Sequence, residues 1–309
     1  MMKNINSGRL LSVNGRSLSI MVFTLYSAWL LSFTFEGQIL YAFGSKYKLD
    51  IPLMVFGSIG ANFIGLIISG SFIHTLNAAK RQMIFSIISA IAGNIIFFFP
   101  PSFLWYIILI ITSFLAGAFI SAWGFFYKRF TPPNGRLKTA AEVLIYSNIL
   151  MIALNMSAIH ISPETALLSA QILLTAALFF AFKLPADILT DNKPHLKLIK
   201  SANSIKPLIC LCLFIFIITI NSGLMYQVVN PAFAHLTSVV SWYWAVPYIL
   251  ALYIIKNLPE KTNRTYILYV TIAMIGLSFV FFMTLDHSAP SYFIVNTLML
   301  GACGVYDIF

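Results

Sequence analysis

The chain has 309 residues, of which 60% are hydrophobic and 9% charged, and a formal net charge of +10. A soluble globular domain carries about 25% charged residues to cover its surface, so that class is excluded. Nucleic-acid binding by this segment is excluded too. All Lys and Arg except Lys46 and Lys48 fall in alternate connections between apolar runs, the positive-inside pattern of a membrane protein.

The runs are apolar on every side and close to the ~20 residues a helix needs to cross the hydrocarbon core. They lack the two-residue alternation of a membrane β-barrel. The expected fold is an all-α, polytopic membrane helix bundle of about ten transmembrane helices with a cytoplasmic N-terminus. Lys3, Arg9 and Arg16 precede the first run, 19–43, which is too long for a signal-peptide core and is followed by no small-residue cleavage pattern. It is a retained first span. Five more follow at 52–73, 83–100, 103–126, 140–161 and 163–182, then four at 207–230, 238–255, 266–284 and 290–309.

The basic connections hold Lys80 and Arg81; Lys128, Arg129, Arg136 and Lys138; Lys183, Lys193, Lys197, Lys200 and Lys206; and Lys256, Lys261 and Arg264. The intervening turns after span three carry no Lys or Arg, so each span reverses direction without breaking the charge rule. The longest polar stretch separates an N-terminal six-helix half, 1–182, from an incomplete four-helix C-terminal half, 207–309. The stretch itself, 183–206, reads as a basic cytoplasmic linker, suited both to anionic lipid headgroups and to hinging the halves.

A shift of 186 residues places Gly37 on Gly223, His74 on Glu260 and Asn77 on Asn263, and brings spans two and eight into coincidence. Two halves repeated in parallel are one transporter architecture. The same shift predicts a tenth span ending just beyond Phe309, so the sequence reads as a fragment cut short after ten of twelve helices.

Six plus six helices, a long basic central loop and a charged turn after spans two and eight together resemble the major facilitator superfamily, whose signature in that turn is G-x-x-x-D-R-x-G-R-K/R. The first copy has Gly70 but carries His74 for the acid and Asn77 for the glycine, with Lys80 and Arg81 late. The second copy, Glu260-Lys261-Thr262-Asn263-Arg264, follows the pattern more closely. Asn tolerates a left-handed turn, so its place at the glycine position is a mild change. The resemblance implies that His74, Asn77, Glu260, Lys261, Asn263 and Arg264 form conformational-switch loops. The lost acid at His74 weakens the first of them. A narrower resemblance, carried by the segments around Trp123, Lys138–Ile145 and Gly301–Phe309, is to the membrane halves of bacterial LuxR-type regulators.

Glu36 is the acidic residue placed well inside the first span. An ionisable group there is costly and faces the bundle interior or a water-filled cavity, which makes it a candidate for proton coupling or for holding a cationic ligand. The alternative is a carboxyl bonded to a neighbouring helix. Span seven carries Asn221, Tyr226 and Gln227. The superfamily resemblance implies that spans one, four, seven and ten line the central cavity, making Glu36 and these residues candidate ligand contacts. Asp307, near the cytoplasmic end of span ten, is either a second coupling carboxylate or a residue of the membrane interface. Against that stands the helix-gluing role of polar side chains in lipid, to which Asn62, Asn94, Asn148, Asn155, Gln171 and Asn296 are assigned.

No Walker A, G-x-S-x-G or G-x-G-x-x-G pattern is present, so an enzyme is not expected. Neither the histidines nor Cys210, Cys212 and Cys303 have metal-ligand spacing, so no metal or cofactor is expected. The functional expectation is a secondary transporter for a small-molecule substrate in the cytoplasmic membrane, in contact with the lipid bilayer. The alternative is a transporter-like sensor domain of a LuxR-type regulator whose DNA-binding domain lies elsewhere.

Overall fold

The computed structural model describes residues 2–35, 37–185, 224–259 and 264–306. Among the described residues every regular element is helical and there is no strand. The helices are α1 (Met2–Trp29), α2 (Gln38–Tyr47), α3 (Ile51–Phe72), α4 (Leu76–Ile96), α5 (Phe103–Phe130), α6 (Arg136–His160) and α7 (Pro163–Phe182), then α8 (Thr237–Tyr243), α9 (Ala245–Lys256), α10 (Arg264–Thr284) and α11 (Ala289–Tyr306).

Local chemistry sets several of the starts. Asp50 accepts from the amide of Leu53 (3.3 Å) and Pro52 sits in the first turn of α3. Thr75 accepts from Ala78 N (3.2 Å) at α4, and Ser162 accepts from Thr165 N (3.1 Å) ahead of Pro163 at α7. Each satisfies one of the amides that a helix N-terminus leaves unpaired.

Six helical segments are long and apolar enough to cross a membrane: Gly15–Tyr47, Ile51–Phe72, Phe103–Phe130, Pro133–His160, Pro163–Phe182 and Tyr266–Thr284. The chain is a membrane protein. The remaining expected spans differ for local reasons. Helix α4 opens with Lys80 and Arg81 near its start, and much of 207–230 lies outside the described residues. The span expected at 238–255 is divided at Trp244 into α8 and α9. Pro247 has no amide to give the carbonyl of Tyr243 and its ring crowds that carbonyl, so the ladder breaks one turn earlier. Pro231 acts in the same way on the π-turn Met225–Val229 before it.

Helix α3 lies against α5, α4 against α5 and α7, and α1 between α6 and α7, while α9 packs on both α6 and α11. The α3–α5 crossing is backbone on backbone. A Cβ at Gly65 would sit 1.9 Å from the carbonyl oxygen of Phe114, and one at Gly117 1.9 Å from that of Asn62. Small residues bring helix backbones together in this way where no hydrophobic drive exists between helices.

Two buried clusters result. One joins Tyr26, Trp29, Phe33, Phe43, Trp105 and Phe119, and the other joins Met225, Val229, Phe233, Tyr292 and Met299. They fall on either side of the expected linker, 183–206, most of which lies outside the described residues. Phe56, Phe63 and Phe72 on α3 are exposed, as a lipid-facing surface requires.

The helices alternate in direction. Arg16 in the middle of α1, where the apolar segment Gly15–Tyr47 begins, Glu142 near the start of α6 and Lys256 at the end of α9 meet at one end of the bundle. Lys80 near the start of α4 reaches the end of α7 at the same end. Lys46 of α2 pairs with Glu164 of α7 at the other. Most of the described Lys and Arg therefore gather at a single, basic end.

Candidate functional site

Helix α1 does not continue to residue 43 as expected. Its i→i+4 ladder gives way at Leu30–Thr34, where the amide of Phe35 bonds to Leu30 O (2.9 Å) five residues back, and α2 starts afresh after Gly37. Ser32 weakens the ladder by donating to Ala28 O (2.6 Å). Gly37 then folds back on the turn. A Cβ there would lie 1.8 Å from the carbonyl carbon of Ser32 and 1.9 Å from its oxygen, so only glycine fits.

Broken backbone at membrane depth must be satisfied inside the protein or face water. Here Thr34 O accepts from the Ser58 hydroxyl of α3, which also bonds Ser113 of α5 (2.6 Å). Ser32, Thr34, Ser58 and Ser113 are all buried. The break is thus a built feature, and the sequence places Glu36 inside it, between Phe35 and Gly37. Glu36 itself lies outside the described residues.

One turn earlier a buried polar chain ties α1 to α4 and α7. Trp29 Nε1 donates to Asn94 Oδ1 (3.1 Å), Asn94 Nδ2 to Gln171 Oε1 (3.1 Å), and Gln171 Nε2 to Ile91 O (2.9 Å). Asn94 and Gln171 hold helices together, as read from sequence. Asn62 Nδ2, Asn155 Oδ1, Asn296 Oδ1 and the Tyr26 hydroxyl are buried with no hydrogen-bond partner among the described residues.

At the basic end Arg16 Nη2 donates to Glu142 Oε2 (2.7 Å) and Arg16 Nε to Thr139 Oγ1 (2.8 Å), while Lys256 Nζ approaches Glu142 Oε1 (3.3 Å). This cluster joins α1, α6 and α9, and it was not anticipated. A signal was present, because Glu142 is the lone acid between Asp50 and Glu164 and stands among cations.

Asn221, Asp307, Glu260, Lys261 and Asn263 lie outside the described residues. Tyr226 and Gln227 belong to the π-turn Met225–Val229 and Arg264 opens α10, with side chains outside the description. His74 is exposed in the α3–α4 turn and Asn77 is exposed on the first turn of α4. From the same turn, Lys80 donates to the carbonyls of Phe182 (2.8 Å) and Leu184 (2.6 Å), capping α7. Among the described residues no group of His, Cys, Asp or Glu is arranged to hold a metal.

No protein-family model matches the chain, and no curated protein matches it.

Proposed function

We propose that this chain is a facilitator-type secondary transporter, with two helical groups moving about a central site to carry a small solute across the cytoplasmic membrane. The observation that carries this reading is the interruption of the first membrane helix beside Glu36. Discontinuous helices at mid-membrane are a recurring way to expose backbone groups to a substrate or coupling ion, and an intramembrane acid is a functional group by default. Positive-inside bias puts the basic end, and with it the N-terminus, in the cytoplasm. The ten-span, six-plus-six arrangement belongs to this proposal. The test is uptake or efflux in proteoliposomes under an imposed pH gradient, with the parent and Glu36→Gln compared. Proton-coupled flux is expected in the parent and lost in the variant. Equal coupled flux in both would remove Glu36 from the mechanism.

A specific feature favours the sensor reading. The turn whose acid is replaced by the exposed His74 spends Lys80 on α7 of its own helical group. Ligand binding by the purified protein without flux of that ligand would select the sensor.

A further inference from the structure

Glu142 is held by two cations with unequal grips. Arg16 reaches it with Nη2 and anchors Nε on Thr139, which is only 1% exposed, and the Phe130 ring packs where a Cβ on the neighbouring Gly15 would stand. Every part of that grip comes from residues 15–142. Lys256, the last residue of α9, has one contact at 3.3 Å to the other carboxylate oxygen. Its side chain is 18% exposed and that of Glu142 15%, so both are largely withdrawn from water.

Stripping a buried carboxylate of its sole counter-ion is costly, whereas removing one of two leaves the charge compensated. Withdrawal of Lys256 is therefore cheap because Arg16 remains. We infer that Lys256–Glu142 is a releasable latch closing the basic end between α6 and α9, with Arg16 as the resident counter-ion that allows it to open. The inference rests on the proposed reading of two helical groups that move relative to one another.

The test uses the full chain in lipid nanodiscs, with its three cysteines replaced by serine and nitroxide labels at Lys138→Cys and Asn257→Cys, both exposed near the latch. Electron–electron distance measurements read the opening of the basic end. Lys256→Gln and Glu142→Gln are each expected to raise the share of the longer distance about threefold or more. Arg16→Gln is expected not to raise it, since Lys256 then becomes the sole counter-ion. Should Arg16→Gln fail to fold, Arg16→Lys keeps the charge and is expected to match the parent. An unchanged distribution in Lys256→Gln, or opening by Arg16→Gln or Arg16→Lys equal to that of Lys256→Gln, overturns the latch. Flux of the same variants separates the two readings. Opening without any flux leaves the latch standing and overturns transport, whereas flux with unchanged distances overturns the latch alone.

Discussion

Replacing Gly117 by Ala puts a methyl group 1.9 Å from Asn62 O and 2.6 Å from Leu66 N, both backbone atoms that no rotamer change can move. Contacts below 3.0 Å are essentially never seen for real Cβ atoms, so α3 and α5 must part by more than 1 Å. One turn away the Ser58 and Ser113 hydroxyls are 2.6 Å apart, and that separation breaks their bond, at a cost of about 1 kcal/mol. A gap of that size also forfeits up to about half of each dispersion contact along the crossing, some ~1–2 kcal/mol in total. Alanine returns about 1 kcal/mol through its better helix propensity. The net is a destabilisation of about 1–2 kcal/mol, within the range of overpacked cores. Gly60 is the control, because a Cβ there meets nothing within 4 Å. Gly60→Ala is expected to be neutral or stabilising by up to about 1 kcal/mol. Reversible unfolding in mixed SDS–maltoside micelles, followed by tryptophan fluorescence, measures both. A Gly117→Ala protein as stable as the parent, or a Gly60→Ala protein equally damaged, refutes the backbone crossing.

Asn94→Ala leaves Trp29 Nε1 and Gln171 Oε1 without their partner and is expected to cost about 1 kcal/mol in the same unfolding assay; an unshifted midpoint would show that the chain is not structural. Gly37→Ala forces open the turn after the helix break, so flux in proteoliposomes should fall about tenfold or more while the circular dichroism stays helical. Undiminished flux would dissociate the break from transport. Asp286, in the turn before α11, accepts from the hydroxyls of Ser291 (2.7 Å) and Ser288 (2.9 Å), which hold its carboxyl below the ordinary 3.8. A depressed folded value contributes stability that is present above the unfolded pKa and lost as pH falls through the folded one. Hydrogen exchange of the amides around 286–292 should therefore quicken on acidification below about pH 4, and Asp286→Asn should abolish that acid step. A step that persists in the variant belongs to another group.

The sequence was most readable where structure is local. The spans expected at 52–73 and 163–182 begin within a residue of α3 and α7, and the cations announced which helix ends would share a side, whereas α4 begins at Leu76, seven residues before the expected 83, because Thr75 caps it ahead of Lys80 and Arg81. The break in the first helix was not readable. Leu30–Thr34 is as apolar as its neighbours, and the hydroxyls that satisfy it come from α3 and α5, far along the chain. The division at Trp244 falls one turn before Pro247, within an apolar run that continues unbroken through 238–255 and so reads as one span. The Arg16–Glu142 pair spans 126 residues, and a lone acid among cations names no partner until the fold supplies one. Asn94 and Gln171 behaved as helix glue because each had a polar atom within reach on a neighbouring helix.

The ammonium of Lys80 closes on the carbonyls of Phe182 and Leu184, the final residues of the first helical group. Whatever tugs on the chain beyond Leu184 is thus shared between the backbone of α7 and a charge-assisted clamp. Part of the load arrives on α4, a few residues from the exposed His74. In mechanical terms Lys80 is a cleat at the point where the long basic segment begins, so a tension applied there also reaches the turn between α3 and α4.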